Sequence, residues 1–252
     1  MNNGSRTAAG WVVFAAAFVG ACSGPSDDVG QTQEQDAADA LTWETLQDST
    51  HRQSSVAGFS GPEAVRYDPD QDVWFVSNFN GGGGERDGNG FISRVAAESG
   101  TVVSLRFAQG TSEHPLHAPR GMYLVGDTLW VADIDGVHGF DRRTGASLTF
   151  VDLTSFEPGF LNDVARGPDG ALYVTDTGKS SVYRIAGGEV SVALASESLG
   201  NPNGITWDAT RNLLVMVPWN PGFRVNTWKI GESPTGFGPR STPGRLDGIE
   251  PI

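Results

Sequence analysis

The chain carries a single cysteine, Cys22, among 252 residues. No internal disulfide can form, so the fold must rest on packing and hydrogen bonds. Lysine is nearly missing, with Lys179 and Lys229 its only examples, and the formal net charge is −13. That balance excludes the basic footprint of a nucleic-acid binder. It suits solubility and an attraction for cations. No Gly-x-Ser-x-Gly sequence occurs, which argues against a serine hydrolase elbow. After the N-terminal segment no dozen-residue run has a 3.6-residue apolar period. What is plentiful is glycine, with 34 residues, and aromatic side chains, at 10%. That is the composition of many short strands and tight turns, and the chain is read as all-β.

The N-terminus reads as a targeting segment. Arg6 precedes an apolar run from Trp11 to Gly20 that is too short to span a bilayer. It ends in Val19-Gly20-Ala21-Cys22, and small residues before a Cys resemble the lipobox of bacterial lipoproteins. That resemblance implies a signal peptide over residues 1–22 and a lipid on Cys22, which would tie the chain to a membrane. An ordinary cleaved leader with an incidental Cys is the other reading. Residues 23–53 are polar, rich in Gln, Asp and Ala, and read as a disordered tether, with room for a short helix around Ala37 to Leu46. Residues 54–252 are the folded region.

Within that region one opening recurs. Gly61-Pro62-Glu63-Ala64, Leu161-Asn162-Asp163-Val164, Pro202-Asn203-Gly204-Ile205 and Leu246-Asp247-Gly248-Ile249 share a frame, and Pro119-Arg120-Gly121-Met122 has it with an Arg in the slot. From Arg120 onward the slots repeat about every 40 to 45 residues, the signature of propeller blades. The longer first interval holds an extra loop, Asn80 to Gly90. Each opening is followed by a turn and a β-rich run: Val73-Trp74-Phe75-Val76, Leu129-Trp130-Val131, Leu172-Tyr173-Val174 and Leu213-Leu214-Val215. Third and fourth strands are expected at Gly90–Val95 and Val102–Phe107, at Gly136–Phe140 and Ala146–Asp152, and at Ser181–Ile185 and Glu189–Leu194.

A repeat that brings carboxylates and amides to one corner can gather the ring of oxygens a hard cation needs. Two carboxylates crowded on an axis would repel each other unless a cation lay between them. Zinc is disfavoured because no His or Cys occupies a slot. Taken singly, Asn203 or Asp247 can equally be a turn residue bonding its own backbone. Other signals have plainer readings. Asp68-Pro69-Asp70-Gln71-Asp72 imitates a calcium loop but has Val73 where a Gly is required, so it is a hairpin turn. Gly81 to Gly84 lacks the ending of a phosphate loop and reads as a flexible loop over the mouth of the first blade. His114 and His117 are loop histidines or a proton shuttle. Asp133 and Asp176 read as turn caps, Asp133 with the option of lining the mouth. Trp74, Trp130 and Tyr173, at one repeat position, read as packing between blades.

Glu63, Asn162, Asn203 and Asp247, in that order and spacing, resemble the SMP-30/gluconolactonase/LRE-like family over residues from about 58 to 252. The resemblance implies a β-propeller of the six-bladed type, here cut to about four and a half blades, by truncation or for completion by a partner. A closed four-bladed ring is disfavoured by the fifth opening. It also implies one divalent ion, Ca²⁺ or another, held by Glu63, Asn203 and Asp247, with Asn162 touching metal or substrate. Asp247 is the implied general base. Many members carry Arg two places before that Asn; here the place is Phe160, which speaks against a sugar-acid lactone. Arg120 either orients an anionic substrate or pairs with an axial carboxylate. The expected function is divalent-metal-dependent hydrolysis of a small lactone or ester on a lipid-anchored propeller facing the periplasm or the exterior of a bacterial cell envelope. The alternative is a non-catalytic propeller that binds a ligand or partner and keeps a structural metal. No nucleic-acid partner is expected.

Overall fold

The computed structural model describes residues 11–13, 55–241 and 245–251. Cys22 and the tether lie outside the described residues, as does the leader apart from β1 (Trp11–Val13), which pairs with β18 (Ile249–Pro251).

Four antiparallel four-stranded sheets follow one another along the chain. The first contains β2 (Pro62–Asp68), β3 (Val73–Asn78), β4 (Phe91–Ala96) and β5 (Val102–Gln109). The second contains β6 (Met122–Val125), β7 (Thr128–Ala132), β8 (Gly136–Asp141) and β9 (Ser147–Asp152). The third contains β10 (Leu161–Arg166), β11 (Leu172–Asp176), β12 (Ser181–Ala186) and β13 (Glu189–Ala195). The fourth contains β14 (Pro202–Asp208), β15 (Leu213–Pro218), β16 (Val225–Trp228) and β17 (Thr235–Phe237). Strands pair in chain order within each sheet. Hairpin turns make this possible, with Asp72 and Asn212 taking positive φ at the tips of the first and fourth sheets. The first strands neighbour one another in turn, from β2 through β6, β10 and β14 to β18. The fourth strands are largely exposed, as β17 and β9 show. The sheets are therefore blades of a propeller, four complete and a fifth begun by β18.

Apolar cores lie between successive blades. Phe75, Ile92 and Leu116 meet Met122, Leu129 and Phe140. Ala132 and Val137 meet Leu161, Val174 and Tyr183. Tyr173 and Val182 meet Ile205, Leu214 and Trp228. Val215 and Val217 meet Ile249. This is face-to-face packing of two-layer type repeated along the chain.

One packing expectation is corrected in part. Tyr173 is buried and meets Trp228 edge-on at 5.8 Å. Trp130 packs against the core between the second and third blades. Trp74 instead remains 38% exposed and packs at a tilt against Tyr67 of its own sheet, with ring centroids 4.6 Å apart. Val65 and Tyr67 are exposed as well, so this face of the first blade has no blade against it among the described residues.

Candidate functional site

The slots owe their direction to a backbone irregularity. In the first, third and fourth blades the pairing of the first two strands slips at the slot, between Pro62 and Val65, between Leu161 and Val164, and between Pro202 and Ile205. Glu63, Asn162 and Asn203 thus sit in β-bulges, which re-aim side chains and interrupt the ladder. Hydroxyls on the second strand fill the interruption: Ala64 N–H donates to Ser77 Oγ at 2.9 Å and Asp163 N–H to Thr175 Oγ1 at 3.0 Å. In the second blade β6 begins at Met122, just after the slot. At the slot Arg120 N–H donates to Ala132 O and Ala132 N–H to Gly121 O, so here too two residues face one.

Arg120 nevertheless stands apart from the other slots by what its side chain meets. A cavity of about 270 Å³ is lined by Glu63, Asn162, Asn203 and Asp247 together, but not by Arg120. The Arg120 side chain is buried, and its guanidinium donates to Leu161 O at 2.9 Å and to Gly83 O. It also lies 3.8 Å from the centroid of the Phe160 ring and 5.7 Å from that of Phe79. It acts as a clamp beside the cavity and its charge is felt by Glu63. The glycine loop is correspondingly less free than its composition suggests. Gly83 receives Arg120, Gly82 N–H donates to Glu85 at 2.9 Å, and Gly88 N–H donates to His117 Nδ1 at 3.0 Å. His114 and His117 do not line the cavity.

The innermost strands approach too closely for side chains next to the slot. A Cβ on Gly121 would stand 2.0 Å from Asp163 Oδ1, and one on Gly204 2.6 Å from Asp247 O. This explains the glycine after Arg120 and Asn203. It also exposes a site residue that the repeat did not mark. Asp163 lines the cavity beside Asn162, buried, with oxygens accepting from Val164 N–H at 2.8 Å and Ile205 N–H at 3.0 Å. Its only sequence signal is the acid after Asn162, which read as part of the motif.

The floor is electrostatically unsatisfied. Burial, then the charges of Asp247 and Asp163, push the Glu63 carboxyl up to about 8 against the pull of Arg120. Burial pushes Asp163 up to about 7 despite Arg66 and its two backbone donors. Asp247 is raised by burial, with the Asn203 side chain opposing. Asn203 Oδ1 is buried with no hydrogen-bond partner among the described residues. Like charges beside an orphaned oxygen fit a cation better than they fit one another. Among the described residues no three Asp, Glu, His or Cys side chains are grouped to hold an ion alone. The donor set fits a hard cation only if the amides of Asn162 and Asn203 contribute, as oxygen-loving Ca²⁺ allows. Farther along the cavity Arg66 pairs with Glu250 and donates to Met122 O at 2.7 Å, so that wall is neutralised.

Asp133 and Asp176 cap loops, as expected. Asp133 accepts from His117 and Ala118 N–H, both at 2.7 Å, and Asp176 from Gly159 and Phe160 N–H at 2.9 and 2.8 Å. Asn78 does the same for Ser60 N–H at 3.0 Å. These side chains fix the segment that leads into each slot.

No family model matches the sequence, and no curated protein matches it. Solved structures do. Regucalcin, a calcium-binding protein from Agrobacterium tumefaciens, superimposes with a TM-score of 0.53 at 21% identity, over 76% of this chain and 64% of that one. A protein assigned as a gluconolactonase gives 0.52 at 18% identity, over 76% and 68%. The fold is that of the SMP-30/gluconolactonase-like propellers. The chain spans less than two thirds of the length of regucalcin. The hydrazine synthase of Kuenenia stuttgartiensis also matches, at 0.51 and 16% identity over 75% of this chain and 52% of that one. The propeller alone therefore names no reaction.

Proposed function

We propose that the chain is a divalent-metal-dependent hydrolase of a lactone or ester. The observation that supports this most is the convergence of Glu63, Asn162, Asn203 and Asp247 on one cavity whose floor carries orphaned oxygen and mutually repelling carboxylates. Those four residues would hold a Ca²⁺-type ion. When bound, such an ion polarises a carbonyl oxygen and eases ionisation of water.

The chain's own residues supply the rest. Asp247 takes the proton of the attacking water as general base. The Asn162 amide orients the substrate oxygen, and the buried Met122 and Ile249 along the same cavity keep bulk water away. Arg120 positions the Leu161 carbonyl next to Asn162 instead of meeting the substrate itself. Calcium-binding by regucalcin is consistent with this choice of ion. The Val19-Gly20-Ala21-Cys22 sequence supports a lipid on Cys22, placing the propeller on the periplasmic or outer side of a bacterial envelope.

The test is a panel of lactones and aryl esters assayed with calcium and with chelator on the full chain. Turnover abolished by chelator is expected. Calcium binding with no turnover on any member would move the assignment to the non-catalytic binding propeller. Cys22→Ser is expected to release the protein from membranes, and unchanged membrane fractionation would remove the anchor.

A further inference from the structure

The segment from Gly81 to Gly90 carries no apolar side chain, so the hydrophobic effect does little to hold it down. Its ends are tied by backbone and amide bonds: Gly90 N–H donates to Leu116 O at 3.0 Å, and the Asn80 amide donates to Asn89 O at 3.1 Å. Its middle is held outward at three points, each on a residue leading into or within the second blade. Gly83 O accepts from Arg120, Arg86 pairs with Asp135, and Gly88 N–H donates to His117 Nδ1 at 3.0 Å. The last two points belong together. His117 Nε2 lies 3.6 Å from Asp135 Oδ2, and the other oxygen of that carboxylate meets Arg86.

Accepting from Gly88 fixes the tautomer of His117: the lone pair is on Nδ1 and the proton on Nε2, toward Asp135. A second proton can go only to Nδ1. There it meets Gly88 N–H, and two donors face each other with no acceptor between them. The imidazolium also crowds Arg86, since both cations then share the Asp135 carboxylate. The other charged groups about the ring are accounted for. Asp133 accepts the His117 backbone N–H at 2.7 Å, and Asp87 in the loop is held by Asn89. Glu113, His114 and Asp152 line a cavity of about 370 Å³ together with His117 and Asp135. Imidazole is the side chain whose charge changes between about pH 5 and 8. His114 stacks on Phe150 at 4.9 Å, which leaves His117 as the imidazole in contact with the loop.

We propose that His117 is a proton-operated latch on the loop from Gly81 to Gly90: the neutral ring holds Gly88, and a proton on Nδ1 lets the loop go. Release frees the middle of the loop, including Gly83 O, which is one of the two carbonyls that hold the Arg120 guanidinium. The clamp beside the cavity then rests on Leu161 O alone. Acidity of the medium is in this way connected to Arg120 through a loop that polar contacts alone hold in place. The latch is independent of whether the cavity carries a cation or a reaction.

Hydrogen exchange of the full chain in chelator, read between about pH 5 and 8, tests this without any turnover. Each rate is divided by the intrinsic rate at that pH, which gives a protection factor for the peptide spanning the loop. Loop protection is expected to fall by roughly fivefold toward the acid end, the worth of one modest hydrogen bond. Strand β11 (Leu172–Asp176) is the control. The raised carboxyls of Glu63 and Asp163 make the fold as a whole firmer in acid, so a loop that loosens there moves against the core. His117→Asn sets an amide oxygen where Nδ1 stood and has no proton to gain, so its loop should stay protected throughout. His117→Phe removes the acceptor, and its loop should be as open at the alkaline end as the unaltered loop is in acid. Loop protection that is flat with pH, that follows β11, or that falls equally in His117→Asn would overturn the proposal, as would full protection in His117→Phe.

Discussion

Two groups of enclosed carboxylates in this protein live under opposite conditions. Asp176 accepts four backbone N–H groups, from Gly159, Phe160, Gly178 and Lys179, within 2.8 to 3.1 Å. At Asp133 burial pushes upward, but His138 and the N–H groups of His117, Ile134 and Ala118 outweigh it and hold the carboxyl below its ordinary value. Glu63 and Asp247 have no such set of donors and are raised, Glu63 by burial and then the charges of Asp247 and Asp163, Asp247 by burial. Burial is common to both groups. What separates a structural acid from a site acid is whether enough donors meet it to outweigh burial, as they do at Asp133 and do not at Asp163.

The contrast is sharpest under mutation. Asp176→Ala leaves several N–H groups stranded and is expected to lower the unfolding free energy by about 3 kcal/mol in urea titrations. A loss well under about 1 kcal/mol would mean those donors find other partners. Glu63→Gln in chelator, measured at about pH 8 where the carboxyl begins to ionise, should go the other way, leaving stability unchanged or raised by about 1 kcal/mol, because it removes an acid whose charged form is unpaired while keeping the shape. A loss like that of Asp176→Ala would make Glu63 a structural acid and end the comparison.

Acidity provides a gentler probe. Glu63 is raised to about 8 and Asp163 to about 7, so between ordinary carboxylate values and these the folded chain holds protons that the unfolded chain has released. Stability then falls as pH rises through that window. In chelator the Tm should be higher at pH 5 than at pH 8, and calcium should raise it most at pH 8, where the carboxylates are free of protons. A Tm that climbs with pH in chelator would contradict the assignment.

Much of this was legible in the sequence, for a physical reason. Blade repeats put similar demands on similar positions, so the slots at Glu63, Asn162, Asn203 and Asp247 and the strands after them were visible as periodicity. The bulges were not, because a slipped register depends on which residue lies across the ladder, as Ser77 and Thr175 do. Arg120 looked like a fifth cavity slot, whereas the carbonyls of Leu161 and Gly83 hold its guanidinium. Trp74 shared its repeat position with Tyr173 but not its neighbour, since a packing partner belongs to another blade. Asp163 lay hidden behind Asn162 until Gly121 was seen to make room for it.

The account depends most on those four side chains acting as one cation site. Calorimetric titration of calcium into the full chain and into Glu63→Gln addresses this directly. A single ion bound per chain, with affinity lowered roughly tenfold or more in the variant, is the predicted result. Superimposable isotherms, or no heat of calcium binding to either protein, would contradict it.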